Sequence, residues 1–241
     1  MKHSFIRLNK YLANLGVASR RRIESYIDQG KITVNGEIIT QQGTKVDPAK
    51  DQITVFGKPI SKPQAFTYII LNKPKGIIAT ARDTHNRITV LDIVKSDVRL
   101  YPVGRLDQDS EGLILLTNDG DLTYKLTHPK FHIPKTYQVT ILGRVSPYKI
   151  ELLENGIELE DGVTQPTQVK IITQSEHDTV IEIVLHEGKK RQIRRMCASL
   201  HLHILALKRI SMGTLQLEDL PKGQHRQLTR EEIKKLKLAV R

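Results

Sequence analysis

The chain has 241 residues, 39% of them hydrophobic and 27% charged, with a formal net charge of +12. That length allows one large domain or a small one plus a medium one, with enough apolar residues for a core. The basic balance calls for a polyanionic partner, nucleic acid before an anionic membrane, and no apolar run approaches the ~18 residues of a membrane span.

Leu8, Tyr11, Leu12 and Leu15 follow the spacing of an amphipathic helix, and Gly16 is placed to stop it. Ser19 then reads as the N-cap of a second helix running through Ile23 and Ile27 to Gly30. Asn35-Gly36 lies between the β-prone runs Lys31–Val34 and Glu37–Ile39, which predicts a hairpin, and Gln52–Phe56 is further strand-like sequence. Arg20, Arg21 and Arg22 open the second helix, against the helix dipole. Both a phosphate site, with guanidinium forks and backbone N–H groups converging, and a solvated charged face accommodate them. The segments R-L-N-K-Y-L-A-N-L-G at 7–16, S-R-R-R-I-E at 19–24 and G-K-I-T-V-N-G at 30–36 resemble the S4-like RNA-binding domain. That resemblance implies RNA binding without implying catalysis. Gly57–Gln64, with two prolines and two lysines, predicts a linker, so the domains are expected at 1–60 and 61–241.

Strands are predicted at Phe66–Leu71, Ile77–Thr80, Leu113–Thr117, Tyr137–Leu142, Val169–Thr173, Val180–Leu185 and Ile204–Ile210, with a turn at Asn72–Gly76. Helices are predicted at Leu122–Leu126 and Arg191–Leu200, and Thr229 with Glu232 forms a capping box for a last helix through Ile233 and Leu236. Strands outnumber helices without alternating with them. The fold class is therefore α+β: a small helix-helix-hairpin domain and a larger, mainly antiparallel-sheet domain.

The segment Tyr101–Asp121 places Arg105 and Asp107 in a glycine-bounded turn just before the apolar run Leu113–Leu116. Taken alone, an aspartate there is a turn former. Asp107, Asp109 and Glu111 mimic the start of a calcium loop, but its twelfth position is Asn118, where a bidentate glutamate is needed. His201 and His203 have no further ligand at metal spacing. There is no phosphate-binding loop, dinucleotide fingerprint or Ser-His-Asp candidate, so no metal and no cofactor is expected. The single cysteine, Cys197, gives no disulfide framework, and the N-terminus has no apolar signal core, which sets the expectation of a cytoplasmic protein. Aromatic residues are only 5%, too few for rows of base-stacking rings.

Four segments, in order, resemble the RsuA/RluB/RluF branch of RNA pseudouridine synthases. They are Asn72-Lys73-Pro74-x-Gly76, then G-R-L-D followed by S-E-G-L-I-L-L-T-N-D-G-D-L, then Pro134-Lys135-Thr136-Tyr137, and E-G-K-K-R-Q-I-R-R-M followed by L-K-R-I-x-M-G. The resemblance implies isomerisation of uridine to pseudouridine in structured ribosomal RNA. By position, Asp107 falls on the catalytic aspartate and Tyr137 on the tyrosine that stacks on the target base. Arg194 falls on the basic residue pairing with that aspartate, and Ile193 on an apolar residue lining the pocket. Lys73 is expected at the substrate, and Arg105 either binds a flanking phosphate or orients the Asp107 turn. Lys189, Lys190, Arg191, Arg195, Lys208 and Arg209 are expected to contact the RNA backbone. Cys197–Leu202 departs from the aromatic and glycine choices commoner in the family, which bears on substrate fit.

This chemistry needs no cofactor, because the substrate supplies every atom. The nucleotide must leave the helix stack for a pocket. Cleaving N1–C1′ puts positive character on the ribose and negative charge on the uracil. An ionised carboxylate then serves either as a nucleophile at C1′ or as a base at C2′. Burial would raise a carboxyl from its usual ~3.9, and a neighbouring arginine opposes that. The expected partner is ribosomal RNA, large subunit over small, or an assembly intermediate, with no membrane and a monomeric enzyme. The rivals are an inert RNA-binding or ribosome-assembly factor on the same fold and a DNA-binding regulator. The set Asp107, Tyr137 and Arg194 argues against both.

Overall fold

A computed structural model describes residues 5–60, 64–81 and 83–240. The chain forms two compact units, Met1–Phe66 with Asp97–Arg99, and Thr67–Ser96 with Leu100–Arg241. Among the described residues no helix is long and apolar enough to cross a membrane.

The small unit begins with β1 (Ile6–Arg7), α1 (Leu8–Asn14) and α2 (Arg20–Asp28). Ser19 caps α2 by accepting a hydrogen bond from the Arg22 amide, and Gly16 adopts the left-handed conformation after α1. The hairpin is β2 (Ile32–Val34) and β3 (Glu37–Ile38), with positive φ at both Asn35 and Gly36, the combination that matches strand twist. β4 (Lys45–Val46) pairs with β1, while β5 (Ile53–Val55) and β6 (Lys58–Pro59) complete a sheet of order β3-β2-β5-β6. The first part of the expected linker is thus an edge strand, a position that tolerates Pro59. Leu8, Leu12, Ile23, Ile27 and Ile32 form the buried core of this unit.

The large unit is built on one sheet, in which the strands at 168–174, 178–185, 135–142, 204–212, 111–117, 68–73 and 225–227 lie side by side in that order. Its strands begin with β7 (Tyr68–Lys73), β8 (Tyr101–Pro102) and β9 (Glu111–Thr117), with the short helix α3 (Val90–Ile93) between the first two. α4 (Gly120–Thr127), capped by Asp119, follows β9. Then come β10 (Lys135–Leu142), α5 (Pro147–Asn155), β11 (Gln168–Gln174), β12 (Asp178–Leu185) and α6 (Gln192–Ser199). The chain closes with β13 (Ile204–Met212), β14 (Leu215–Gln216), β15 (His225–Gln227) and α7 (Arg230–Leu238), the last opened by the Thr229/Glu232 capping box.

Every strand pair described in this sheet is antiparallel except β9 with β13. That junction joins two half-sheets with separate cores. Ile70, Leu113 and Leu115 pack with Leu122 and Leu236 on one side. Val139, Ile141, Ile181 and Ile183 pack with Met196 and Cys197 on the other. Gly112 makes the junction possible. Its φ is +106°, and a Cβ there would lie 2.3 Å from the Arg209 carbonyl oxygen and 2.6 Å from its amide nitrogen.

Two local expectations are corrected. Asn72 and Lys73 belong to β7, so the turn starts at Pro74, and Ile77–Thr80 makes only an isolated bridge from Ile78 to Thr89. Gly76, with φ of +86°, turns the chain out of the sheet, and its amide donates to the Gln108 carbonyl at 2.8 Å. The residues after it therefore cannot continue the ladder. α5 was not expected, although Ser146 caps it and Pro147 occupies its first turn, a recognisable start signal.

Candidate active site

A cavity of about 320 Å³ opens where the two half-sheets meet, large enough for a small ligand. Asp107, Tyr137, Ile193, Arg191, Arg194, Lys135 and Arg209 all line it. Sequence positions spread from 105 to 209 therefore converge on one concavity.

The Asp107 loop is tied at both ends. The Val103 amide donates to the Leu115 carbonyl at 2.7 Å, and the Ser110 amide donates to the Asp107 carbonyl at 3.1 Å. Gln108 also donates its side-chain amide to the Gly76 carbonyl at 3.2 Å, so the Pro74–Gly76 turn clamps the loop from below. The Asp107 side chain is 37% exposed. Its carboxylate is thus held at the cavity mouth by a rigid loop, facing space a ligand can enter.

β10 supplies the wall. Residues two apart on a strand share a face, so Ile141, Val139, Tyr137 and Lys135 form one row. The first two are buried in the core, and the last two continue the row into the cavity. Opposite Thr136 and Tyr137 the register shifts because β13 carries the extra residue Ile210, the kind of irregularity that bends the bulged strand and re-aims its side chains. α6 covers the same face: Met196 and Cys197 pack in the core while Ile193, 4% exposed, lines the cavity. Burial pushes the Cys197 thiol up to about 12, with the Arg194 charge opposing, which makes it an inert core group at neutral pH.

The cations distribute differently from expectation. Arg191 is the guanidinium within ion-pair distance of Asp107, at 3.8 Å, and it also makes two bonds of 3.1 and 3.2 Å to the Asp109 carboxylate. Arg191 caps α6 in the left-handed conformation, with φ of 51°, a strained geometry for a side-chain-bearing residue. Arg194, expected at Asp107, instead sits 3.3 Å from the Asp109 carboxylate through Nε and donates Nη2 to the Asp109 carbonyl at 3.0 Å. Burial raises the Asp109 carboxyl, but these two arginines outweigh it and hold the group below the ordinary carboxylate range. Sequence reasoning missed Asp109 as the hub of this cluster, because spacing alone does not reveal which carboxylate two arginines share.

Several expected RNA contacts are otherwise engaged. Lys189 donates Nζ to the carbonyls of Asp161, Gly162 and Val163, and Arg195 forms bonds of 2.7 and 3.0 Å to the Asp161 carboxylate. Both tie down the loop before β11. Lys208 alternates with Arg209 on β13 and so points to the opposite sheet face. Lys73 is fully buried and donates Nζ to the Pro74 and Ile77 carbonyls at 3.0 and 2.8 Å. Burial lowers its ammonium to about 8, while Asp109, Glu111 and Asp107 oppose that fall. Arg105 and Lys190 are exposed at the cavity rim, and Arg20, Arg21 and Arg22 are exposed on α2 of the small unit.

Arg209 departs furthest from expectation. It is 2% exposed, donates Nε to the Leu113 carbonyl at 2.8 Å, and leaves Nη2 buried without a hydrogen-bond partner. Among the described residues it makes no ion pair. A buried unpaired cation costs several kcal/mol, so this is an unusual group to find on a cavity wall. No set of three or more His, Cys, Asp or Glu able to hold a metal occurs among the described residues.

The cavity thus combines a carboxylate at its mouth, a tyrosine on its wall and cations around both, a setting for an anionic substrate beside an acid–base or nucleophilic group. The family described as RNA pseudouridylate synthase matches residues 67–199, and the S4 domain matches residues 6–53. The chain is 41% identical over 234 residues to ribosomal large subunit pseudouridine synthase B of Bacillus subtilis, covering 96% of this chain and 95% of that one. It is 40% identical over 237 residues to an uncharacterized RNA pseudouridine synthase of Aquifex aeolicus, covering 98% and 95%. A crystal structure of a pseudouridylate synthase matches with a TM-score of 0.69 at 30% identity, covering 96% of this chain and 99% of the other. The chain belongs to the RNA pseudouridine synthase family.

Proposed function

We infer that this enzyme converts a uridine of ribosomal RNA, in the large subunit, to pseudouridine. The observation that carries this reading is Asp107 on a doubly tied loop at the mouth of a cavity walled by Tyr137 and Ile193. The relative from Bacillus subtilis, named for the large subunit, supports the choice of RNA.

Residues 1–60 grip the RNA and residues 61–241 perform the chemistry. The target nucleotide leaves its stack, and its base lies against Tyr137, which returns part of the lost stacking. Asp107 either attacks C1′ as the N1–C1′ bond breaks or removes the C2′ proton to give a glycal. The Arg191 guanidinium lies 3.8 Å from the Asp107 carboxylate and places a positive charge beside it. The freed uracil turns and C5 bonds to C1′ as the Asp107–C1′ ester bond breaks or, on the glycal route, as C2′ regains its proton; the C5 proton leaves and N1 gains one, so atoms and electrons balance without a cofactor. Arg105 and Lys190 at the rim, and Arg20, Arg21 and Arg22 on the small unit, hold phosphates. The enzyme acts in the cytoplasm as a monomer.

The test is to delete the gene and map pseudouridine in both ribosomal RNAs. Loss of one large-subunit site, restored by the intact gene and not by Asp107→Asn, is expected. Unchanged pseudouridine in both RNAs would contradict the reading, and loss from the small-subunit RNA alone would overturn the choice of subunit.

A further inference from the structure

We propose that Lys135 and Arg209 form a cationic floor that holds the uracil ring as an anion while it is detached from the ribose. This inference rests on the pseudouridine reading and assigns residues to a step that reading leaves without a protein partner.

The geometry comes from the sheet. Tyr137 and Arg209 are direct cross-strand partners on β10 and β13, and Lys135 is two residues from Tyr137 on the same face. A base lying against Tyr137 therefore has both cations as neighbours. Neither cation is neutralised: among the described residues neither makes an ion pair. The Lys135 ammonium donates to the Ile133 carbonyl at 3.1 Å. The Arg209 guanidinium is anchored at Nε on Leu113, while Nη2 is buried and unpartnered. Two like charges on one cavity wall, neither of them in an ion pair among the described residues, are unfavourable in the empty site, and an anionic ligand relieves that repulsion.

The leaving uracil is such an anion. On either route the electron pair of the broken N1–C1′ bond stays with the ring and spreads from N1 onto its two carbonyl oxygens. The substrate ring is neutral before that step. Fixed cations beside it consequently favour the cleaved state over the intact one, which is the requirement for accelerating a reaction. A backbone phosphate is the other anion available. It suits the exposed rim residues Arg105 and Lys190 better than a guanidinium that is 2% exposed on a central strand.

The test compares leaving groups. An RNA fragment carrying the mapped uridine is made with uridine or with 5-fluorouridine at that one position. Fluorine withdraws electrons and makes the detached ring a more stable anion. Loss of the N1-linked nucleoside is followed under single turnover with enzyme in excess. Lys135→Met and Arg209→Gln should each slow uridine cleavage by roughly 10²–10³-fold and 5-fluorouridine cleavage by at least about tenfold less, with RNA affinity unchanged. Lys135→Arg, which keeps the charge, should retain most of the rate. Should Arg209→Gln fail to fold for want of its bond to Leu113, Lys135→Met carries the test alone. Equal slowing of both substrates would overturn the proposal and leave the residues a structural role. Weakened RNA affinity with full rate at saturation would overturn it in favour of a phosphate site. If the native enzyme fails to convert the uridine substrate, the pseudouridine reading itself falls.

Discussion

The rim and the floor of the cavity carry the same charge by opposite means. At the rim, Arg105 and Lys190 are exposed, and Arg191 lies on the Asp109 carboxylate. At the floor, Lys135 and Arg209 stand on paired strands, half-buried and buried, with no counter-ion among the described residues. Rim cations are screened by water and salt, so they suit a long polyanion that arrives and leaves. Floor cations are screened little and cannot rearrange, so they suit a charge that exists only briefly.

Five substitutions separate the two regions. The largest effect is expected at the carboxylate between them: Asp107→Asn should lower single-turnover pseudouridine formation by roughly 10³-fold or more, with RNA binding intact. Gly112→Ala attacks the floor through its scaffold. The added Cβ would lie 2.3 Å from the Arg209 carbonyl oxygen, so about 3 kcal/mol or more of unfolding free energy should be lost in denaturant titrations.

The third effect is on pH dependence. Burial, and then the Arg209 charge, bring the Lys135 ammonium down to about 8. Asp107 and Glu187 line the same cavity. The floor of the free enzyme therefore carries both charges well below pH 8 and loses one as the pH rises through about 8, so kcat/KM should fall about tenfold per unit above that range. Lys135→Arg should abolish this limb, because a guanidinium keeps its proton. A limb that persists in Lys135→Arg would assign the titration to Lys73, also lowered to about 8, and would remove the floor from the account. The smallest effect belongs to the rim. Lys190→Ala should flatten the salt dependence of RNA binding by roughly 0.7–0.9 log units per lost phosphate contact. Arg195→Ala should leave that slope unchanged, since Arg195 is committed to Asp161.

Much of the frame was legible in the sequence because its signals are local. Ser19 and the Thr229/Glu232 box are caps, and Asn35-Gly36 is a turn; each acts within a few residues. Among the two-residue strands, β1 and β4 are too short to show periodicity and exist through their mutual long-range pairing, while β6 closes a tight hairpin with β5 inside the segment read as a linker. The candidate site was legible as a set of residues and not as a set of partners. Lys208 and Arg209 read as two equal surface cations, yet strand alternation sends only one to the cavity, and the register shifts along β10 and β13 decide which. Likewise Arg191 and Arg194 both open α6, and the tertiary placement of Asp109 determines that Arg191 is the one beside Asp107.

We propose that the Asp107 cavity isomerises a uridine of ribosomal RNA. The most direct measurement is tritium release from large-subunit RNA labelled at uridine C5, prepared from cells lacking the gene and treated with the purified enzyme. Release by the intact enzyme and none by Asp107→Asn is the expected result. Equal release by both, or none by the intact enzyme on naked RNA and on immature particles alike, would contradict it.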